Sequence, residues 1–414
     1  MTRAELFANP NFRLYRTGST VSAIGNGMHY IAVSWLALEI TGGRGLAVAG
    51  TLVASSLPAI FLAPMIGVMV DRLERRRLAF TLDALNAFVA MILPVLYWTG
   101  GLQEWHLYAV AFVASALQTA YWTTSGALIR EIVPPQGLFV ANSTSRALNQ
   151  FGMVLGASLA GFLIAASSPA WTLFIDALTF VVSSVCIYTL RLEVRPVKSE
   201  RRSFASDFRA GLRYILTNRA IVPFYLVGLI LQTTPKTLNS LLPIFSEQVL
   251  KVGAQGFGLI DAGWAIGSVL GGWFLPNVVT RFSRRPVMLV GVFALAAFLL
   301  LSAAAQNLIW AVLAYIGMGA SMSANILFQT EAQERTDLEF QGRVSSVFGI
   351  FAGIVSLFVY LGMGALSETA PRAGFTLQAG VIVLAGVFAI FFLTSRRASR
   401  VSAEQQPVPS RSQS

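Results

Sequence analysis

Apolar runs of about 20 residues recur along the whole chain, and short polar or basic stretches separate them. A helix of this length crosses the ~30 Å hydrocarbon core of a bilayer, where only helices and closed barrels satisfy every backbone hydrogen bond. The runs are too long for barrel strands. They predict twelve transmembrane helices, near residues 17–40, 46–70, 78–98, 106–130, 143–166, 171–191, 220–246, 256–279, 286–305, 308–331, 344–367 and 374–394.

The connector between the sixth and seventh runs is long, basic and amphipathic. Phe204, Phe208, Leu212 and Ile215 recur at helical spacing, which predicts a helix lying on the inner membrane surface. We therefore predict an all-α integral membrane protein with 12 transmembrane helices in two pseudo-symmetric six-helix bundles. Its predicted segments are a cytoplasmic N-terminal segment (1–16), an N-terminal bundle (17–191), the connector (192–219), a C-terminal bundle (220–394) and a disordered cytoplasmic tail (395–414).

The composition excludes an ordinary soluble protein. Apolar residues make up 55% of the chain and charged residues only 12%, whereas a soluble domain is about 25% charged. No soluble core buries so much apolar material, so lipid must cover much of it. The first apolar run is too long for the core of a signal peptide and has no cleavage site after it, so we interpret it as the first span.

The net charge of +11 reflects membrane orientation. With a cytoplasmic N-terminus, 26 of the 30 Lys and Arg residues fall on the cytoplasmic side. The positive-inside rule then predicts that both termini are cytoplasmic, and the excess charge needs no nucleic-acid partner. The sequence has no His/Cys cluster and no phosphate-binding glycine loop. We therefore expect no metal site, no cofactor and no enzymatic activity.

The loops after the second and eighth runs repeat each other at an offset of 209 residues. The first loop carries Arg72, Arg75 and Arg76, and the second carries Arg281, Arg284 and Arg285 at the matching positions. Parallel six-helix repeats are a transporter architecture, in which the substrate binds between the halves near the membrane midplane. The repeat therefore favours a transporter.

The first of these loops reads Gly67-x-x-x-Asp71-Arg72-x-x-Arg75-Arg76, and it resembles the loop signature of the major facilitator superfamily. Asn11-Phe12-Arg13 and Gly342-Arg343-Val344 resemble the twelve-span branch that contains macrolide and enterobactin-type siderophore exporters. The resemblance implies an exporter of an amphipathic drug or siderophore, driven by the proton-motive force and located in the bacterial inner membrane. Glu74 replaces one glycine of the loop signature, and Ala157 replaces the proline of the antiporter pattern in the fifth span.

For this loop the resemblance implies a gate. Asp71, Arg72, Arg75 and Arg76, with Gly67 before them and the second-copy arginines, would form charge pairs that stabilise an outward-open form. Since Thr280 replaces the acid in the second copy, any such latch would be asymmetric. The alternative is that these charges only set topology, with snorkelling arginines.

Lys236 follows Pro235 near the middle of the seventh run. A charged group at that depth costs a few kcal/mol unless it is paired or hydrated, so it usually faces a cavity. Lys236 is therefore a candidate for binding an anionic or catecholate-type substrate, for pairing with Asp261, or for carrying a proton. The alternative is a structural role beside a carbonyl freed by Pro235.

His29 and Asp261 are the other candidates for proton coupling, because both can change charge inside the membrane. Asp83 and Asp176 are predicted to be interhelical hydrogen-bond partners. Further polar and aromatic side chains are predicted to line the cavity or to join helices. With Lys236, the predicted cavity set is Asn26, His29, Tyr30, Gln118, Tyr121, Trp122, Gln150, Gln232, Asn325 and Gln329.

Rows of small residues, Gly152 with Gly156 and Gly263 with Gly267 and Gly271, are predicted to let helices approach closely. Overall we expect a monomeric transporter in the lipid bilayer, with a small-molecule substrate and protons as the coupling ion. An importer, a lipid or metabolite transporter, or a channel is the alternative.

Overall fold

The structure is a computed structural model, and it describes residues 3–62, 73–134, 137–192, 204–337 and 340–404. The N-terminal half (residues 3–192) contains the helices α1 (Arg3–Ala8), α2 (Pro10–Thr41), α3 (Gly45–Phe61), α4 (Arg75–Trp98), α5 (Glu104–Ile132), α6 (Leu138–Ala166) and α7 (Pro169–Tyr188). The C-terminal half (residues 204–404) contains α8 (Phe204–Thr217), α9 (Val222–Leu231), α10 (Thr233–Ile244), a π-helical turn (Phe245–Val249), α11 (Gly253–Phe282), α12 (Arg284–Ala304), α13 (Leu308–Met322), α14 (Ala324–Glu334), α15 (Gln341–Thr369) and α16 (Pro371–Glu404).

Each apolar run predicted to span the membrane overlaps one of these helices or a consecutive pair. By length and apolar composition, eight of the helical segments in the described chain can cross a membrane, or nine if the bent segment formed by α8, α9 and α10 counts as one span. The chain is therefore a membrane-spanning helical protein. The long helix α2 is not among the eight. Polar residues such as Ser19, Ser22 and Asn26 interrupt its apolar sequence and lower its mean hydropathy.

Arginines mark one end of the helical bundle. The basic face is the end at which α4 begins with Arg75, Arg76 and Arg77 and α12 begins with Arg284 and Arg285. The far face is the opposite end, where α4 and α12 terminate. The amphipathic helix α8 meets the α9–α10 segment at 114°. It packs against the first turns of α15 through an apolar cluster of Ile215, Ile221, Val344 and Val347.

The pattern of helix neighbours is the same in the two halves. In the N-terminal half α2 packs against α6 and α7, α3 against α5, and α4 against α5 and α7. In the C-terminal half the α9–α10 segment packs against α15 and α16, α11 against α13, and α12 against α13 and α16. Between the halves, α3 contacts α15 and α6 contacts α11, so each half supplies the same two positions to the interface.

Close helix contacts confirm the predicted role of the small-residue rows. A Cβ atom on Gly156 would lie 1.9 Å from the carbonyl oxygen of Ile24, and one on Gly267 would lie 1.9 Å from that of Ile316. Glycine at these positions lets two backbones touch, as in other membrane bundles.

The helical segment that carries Lys236 is interrupted at Gln232, between α9 and α10. Pro235 lacks the N–H that would donate to the carbonyl of Leu231, so the helix cannot continue through this turn without losing a hydrogen bond. A buried side-chain network stabilises the interruption. The Gln378 amide donates to Thr233 Oγ1 (2.8 Å) and Thr234 Oγ1 (3.2 Å), and Thr237 Oγ1 donates to Gln378 Oε1 (3.0 Å).

Replacing Gln378 by alanine is expected to lower the melting temperature of the purified protein by several degrees, since three buried threonine hydroxyls each lose a hydrogen bond. Interhelical hydrogen bonds of this kind are each worth about 0.6–1.7 kcal/mol in membrane proteins. Differential scanning fluorimetry in detergent measures the change. The matched control is Gln306→Ala, because Gln306 is exposed at the far face. Equal melting temperatures for the two variants would contradict a structural role for Gln378.

Candidate substrate pocket and gate

A polar pocket lies between the two halves, where α3 faces α15 and the interrupted α9–α10 segment. Its volume is about 510 Å³. The residues that line it from the three elements include Ser55, Ser56, Ile60, Gln232, Thr233, Lys236, Gly353, Ser356 and Tyr360. The structure thus brings the predicted residues Gln232 and Lys236 to one site, at the midpoint of the helical segment that Pro235 interrupts.

Lys236 is the charged group of this inter-half pocket. Its Nζ lies 5.7 Å from the ring centroid of Tyr360, a cation–π contact. The candidate ion pair with Asp261 is not formed, because no ion pair joins these two described residues. Asp261 lies instead near the hydroxyls of Tyr30 and Tyr315, which are its electrostatic neighbours. The two residues lie on helices that are close along the chain, but their side chains do not face each other.

A second cavity of about 290 Å³ lies inside the N-terminal half. It brings together the predicted residues Asn26, His29, Tyr30 and Gln118, together with Asn86. His29 Nδ1 lies 2.8 Å from Asp176 Oδ2, which confirms the prediction that Asp176 joins two helices by a hydrogen bond. Ser55 borders both this cavity and the inter-half pocket, so a single helix, α3, separates them.

The remaining predicted cavity residues line neither of these two spaces. Tyr121 is buried and belongs to an apolar cluster around Tyr15. Asn325 is buried with its Oδ1 unpaired among the described residues, close to Gly228. Three others are exposed side chains, namely Trp122, Gln150 and Gln329. Their role in binding stays a prediction.

One buried charged group, Arg16, was not predicted from the sequence. Arg16 is only 2% exposed and donates to Asn149 Oδ1 (3.1 Å) and to the carbonyl of Ser145 (3.4 Å). In the predicted topology Arg16 is one of the cytoplasmic charges that set the orientation. Asp83 on α4 is 1% exposed and lies beside Ser183 of α7, and its predicted interhelical hydrogen bond stays a prediction. A helical projection of α2 would have placed Arg16 on the same face as Phe12 and Ser19.

Arginines of the two repeated loops make equivalent ion pairs within their own halves. Arg75, at the start of α4, pairs with Glu131 near the end of α5 (2.5 Å). Arg284, at the start of α12, pairs with Glu331 (3.3 Å) and Glu334 (2.7 Å) near the end of α14. The two loops that match at an offset of 209 residues therefore also make equivalent contacts. These pairs fix the basic-face end of each half.

The other described residues of the predicted gate form no ion pair between the two halves. Arg76 donates to the carbonyl of Leu190 (2.9 Å), beyond the end of α7. Arg281 stacks on Phe282, and Arg285 is exposed. Gly67, Asp71 and Arg72 lie outside the described residues, so a latch that includes them stays a prediction.

The hydrogen bonds that join the two halves, among the described residues, both lie at the far face. The Leu46 amide donates to Glu368 Oε1 (3.0 Å), and Gln248 Nε2 donates to the carbonyl of Gly43 (3.1 Å). Nearby, a Cβ on Gly161 would lie 2.8 Å from the carbonyl oxygen of Ala254, so α6 and α11 touch there as well. The two halves are therefore in close contact on the far-face side of the inter-half pocket.

Comparison with known proteins agrees with this architecture. The family model for the Major Facilitator Superfamily matches residues 17–360. The chain is 24% identical over 380 residues to macrolide efflux protein A of Streptococcus pyogenes, covering 89% of this chain and 92% of that protein. It is 26% identical over 392 residues to the multidrug efflux pump Tap of Mycobacterium tuberculosis, covering 89% and 90%.

Solved structures show the same fold at low sequence identity. The nucleoside transporter NupG aligns with a TM-score of 0.73 at 14% identity, over 93% of this chain and 99% of that one. A bacterial homologue of the iron transporter ferroportin in an inward-facing state aligns with a TM-score of 0.72 at 16% identity, over 95% and 99%.

A two-sided interface, a pocket between the halves and helices that span a membrane define a membrane transporter. The chain belongs to the major facilitator superfamily. It is therefore an integral membrane protein that transports a small molecule.

Proposed function

We propose that the protein is a secondary active exporter of an amphipathic small molecule, driven by the proton-motive force and working by alternating access. The proposed architecture has twelve membrane crossings in two six-helix bundles, over residues 17–191 and 220–394. The identical pattern of helix neighbours in the two halves supports it. So does the symmetric interface, in which α3 faces α15 and α6 faces α11.

The observation that carries the proposal is the pocket around Lys236 between the halves. A site at such an interface is exposed to one side or the other when the halves rock, as alternating access requires. The far-face contacts support the inference that the structure is the form open toward the basic face. Since 26 of 30 Lys and Arg residues map to that side of the predicted topology, we infer that the basic face and both termini are cytoplasmic.

The chemistry of the pocket favours a class of substrate. Lys236 has no acidic partner among the described residues, and hydroxyl and amide side chains surround it. A cation in such a pocket is stabilised by an anionic or acceptor-rich group on the substrate. We infer that the substrate presents such a group, as catecholate siderophores and the many oxygens of macrolides both do.

The direction of transport is inferred from relatives that are named as efflux proteins. In this proposal the protein is a monomer, and it lies in the cell membrane, which is a bacterial inner membrane. In the same proposal the loop of Gly67, Asp71 and Arg72 is the cytoplasmic gate. An importer is the second candidate, and the experiment below separates the two.

Cells that overexpress the protein are expected to accumulate several-fold less erythromycin or enterobactin than cells with the empty vector. An uncoupler is expected to remove the difference, because collapse of the proton gradient stops secondary export. Accumulation of radiolabelled probe over the first minutes measures both effects. Faster uptake in the overexpressing cells would instead show import, and a difference that the uncoupler leaves unchanged would contradict proton coupling.

A further inference from the structure

The cavity inside the N-terminal half ends at a titratable pair that bridges two helices. His29 on α2 approaches Asp176 on α7, with 2.8 Å between Nδ1 and Oδ2. The Asp176 side chain is fully buried, whereas His29 is 23% exposed and lines the cavity. A Cβ on Gly25, one turn earlier on α2, would lie 2.5 Å from Asp176 Oδ1. The carboxylate is thus enclosed by helix backbone, and the imidazole is its link to the cavity.

The wall of this cavity carries polar groups to which water can bond. Several polar side chains line it, including Asn26, Ser34, Thr51 and Ser115. Three lining residues have a buried polar atom without a partner in the described chain, namely the amide nitrogen of Asn86, the amide oxygen of Gln118 and the hydroxyl of Tyr30. Buried polar groups are bonded to protein or to ordered water, and a space of about 290 Å³ is large enough for several water molecules beside these groups.

We propose that the His29–Asp176 pair binds the coupling proton, and that the cavity in the N-terminal half is its aqueous access route. This inference rests on the proposed function as a proton-driven exporter. With the carboxylate ionised and the ring neutral, Nδ1–H donates to Oδ2 and leaves the lone pair of Nε2 free. A proton from cavity water binds Nε2 and forms an imidazolium–carboxylate pair. The net charge of the pair changes from −1 to 0, and release reverses the same step.

Other titratable groups lie on the helices around the pair. On α4, which packs on α7, Asp83 is buried one turn from the cavity residue Asn86. On α7 the acidic residue is Asp176 itself, and α3 has no titratable residue. On α6 the titratable residue is Arg146, more than three turns toward the basic face from the contact of Gly27 with Ala157. Between their end turns, the other helices packed on α2 offer Tyr108 and Tyr121 on α5, Lys236 on α10 and Asp261 on α11. None of these forms an ion pair with His29 in the described chain.

Helix α3 lies between the cavity of the His29–Asp176 pair and the substrate pocket. Ser55 on α3 borders both spaces, so a unit change of charge at His29 occurs one helix away from Lys236. In a low-dielectric interior such a change alters the field on a neighbouring cation more than it would in water. The protonation state of the pair therefore alters the electrostatic environment of Lys236 in the substrate pocket.

The test separates proton coupling from substrate transport in proteoliposomes, with erythromycin and enterobactin as parallel probes. His29→Gln, His29→Asn and Asp176→Asn are expected to lose at least tenfold of probe uptake driven by an imposed proton gradient. They are also expected to lose probe-dependent proton movement, read by a trapped pH dye. Probe counterflow without a gradient is expected to persist in these variants, and size-exclusion chromatography shows that they are folded. His106→Gln, the other histidine, should behave as wild type.

Two outcomes distinguish the failures. If the wild type shows no counterflow of either probe, the proposed export of these compounds fails. If the wild type is gradient-driven and the His29 and Asp176 variants are too, the proton site is elsewhere and this inference is overturned. A second readout is independent of transport. Because the chain has two histidines, ¹⁵N-histidine-labelled His106→Gln gives one imidazole spectrum, which should show the Nδ1–H tautomer and a shift of Nε2 on acidification. Absence of that tautomer would also overturn the inference, and Asp176→Asn should abolish the preference.

Discussion

Replacing Lys236 by methionine is expected to weaken binding of the anionic probe enterobactin by tenfold or more. Lys236 is the charged group in the inter-half pocket and has no acidic partner among the described residues, so a charge-assisted contact with substrate is lost without relief elsewhere. Such a contact is worth about 1.5–3 kcal/mol, which corresponds to roughly 10–100-fold in affinity. Erythromycin, which carries its own amine, should lose much less. Ligand-induced thermal shift or isothermal titration in detergent measures the two affinities.

The matched control is Lys251→Met, the same chemical change at an exposed far-face residue. It should leave both affinities unchanged. Lys236→Arg should retain part of the binding, since the charge persists while the shape of the head group changes. Wild-type affinity for enterobactin in Lys236→Met would contradict the proposed substrate class, and so would failure of the wild type to bind it.

Replacing Gly267 by alanine is expected to be among the most destabilising single-methyl changes in the chain. The added Cβ would lie 1.9 Å from the carbonyl oxygen of Ile316, so α11 and α13 must move apart along a contact that Gly263 and Gly271 continue. Overpacking of this kind typically costs about 1–3 kcal/mol. We expect a fall of several degrees in melting temperature and lower yield of folded protein after size-exclusion chromatography.

Gly272→Ala is the control, because it lies next to Gly271 on the same helix and a Cβ there would meet no atom within 4 Å. Alanine is preferred to glycine in a helix by about 0.5–1 kcal/mol, so this variant should be neutral or slightly more stable. The close contact of α11 and α13 would be contradicted if both variants melted alike.

The helices were predictable because each apolar run has the length that a bilayer requires, and this requirement acts on the chain locally. The amphipathic helix α8 followed from its own periodicity, and its 114° angle to the next segment agrees with a helix at the membrane surface. The break at Gln232 was not predicted, although Pro235 marks it. The network around Gln378 joins residues more than 140 positions apart, so no local pattern announces it.

The site was predictable only where one residue type is unusual by itself. Lys236 stood out because a cation is costly at the middle of an apolar run. The pair of His29 and Asp176 required knowledge of which faces of α2 and α7 meet, and the error over Asp261 has the same origin. A sequence gives the depth of a residue in the membrane, whereas the direction of its side chain depends on neighbouring helices.

The far-face contact has an energetic consequence for the two-state behaviour of the transporter. The described hydrogen bonds that separate when the far face opens number two, and both are exposed. At roughly 1 kcal/mol each, they bias the equilibrium by about 30-fold. A substrate that binds the opposite form about 30 times more tightly would bring the two populations to parity. Occupancy of one pocket is therefore sufficient to offset these two bonds.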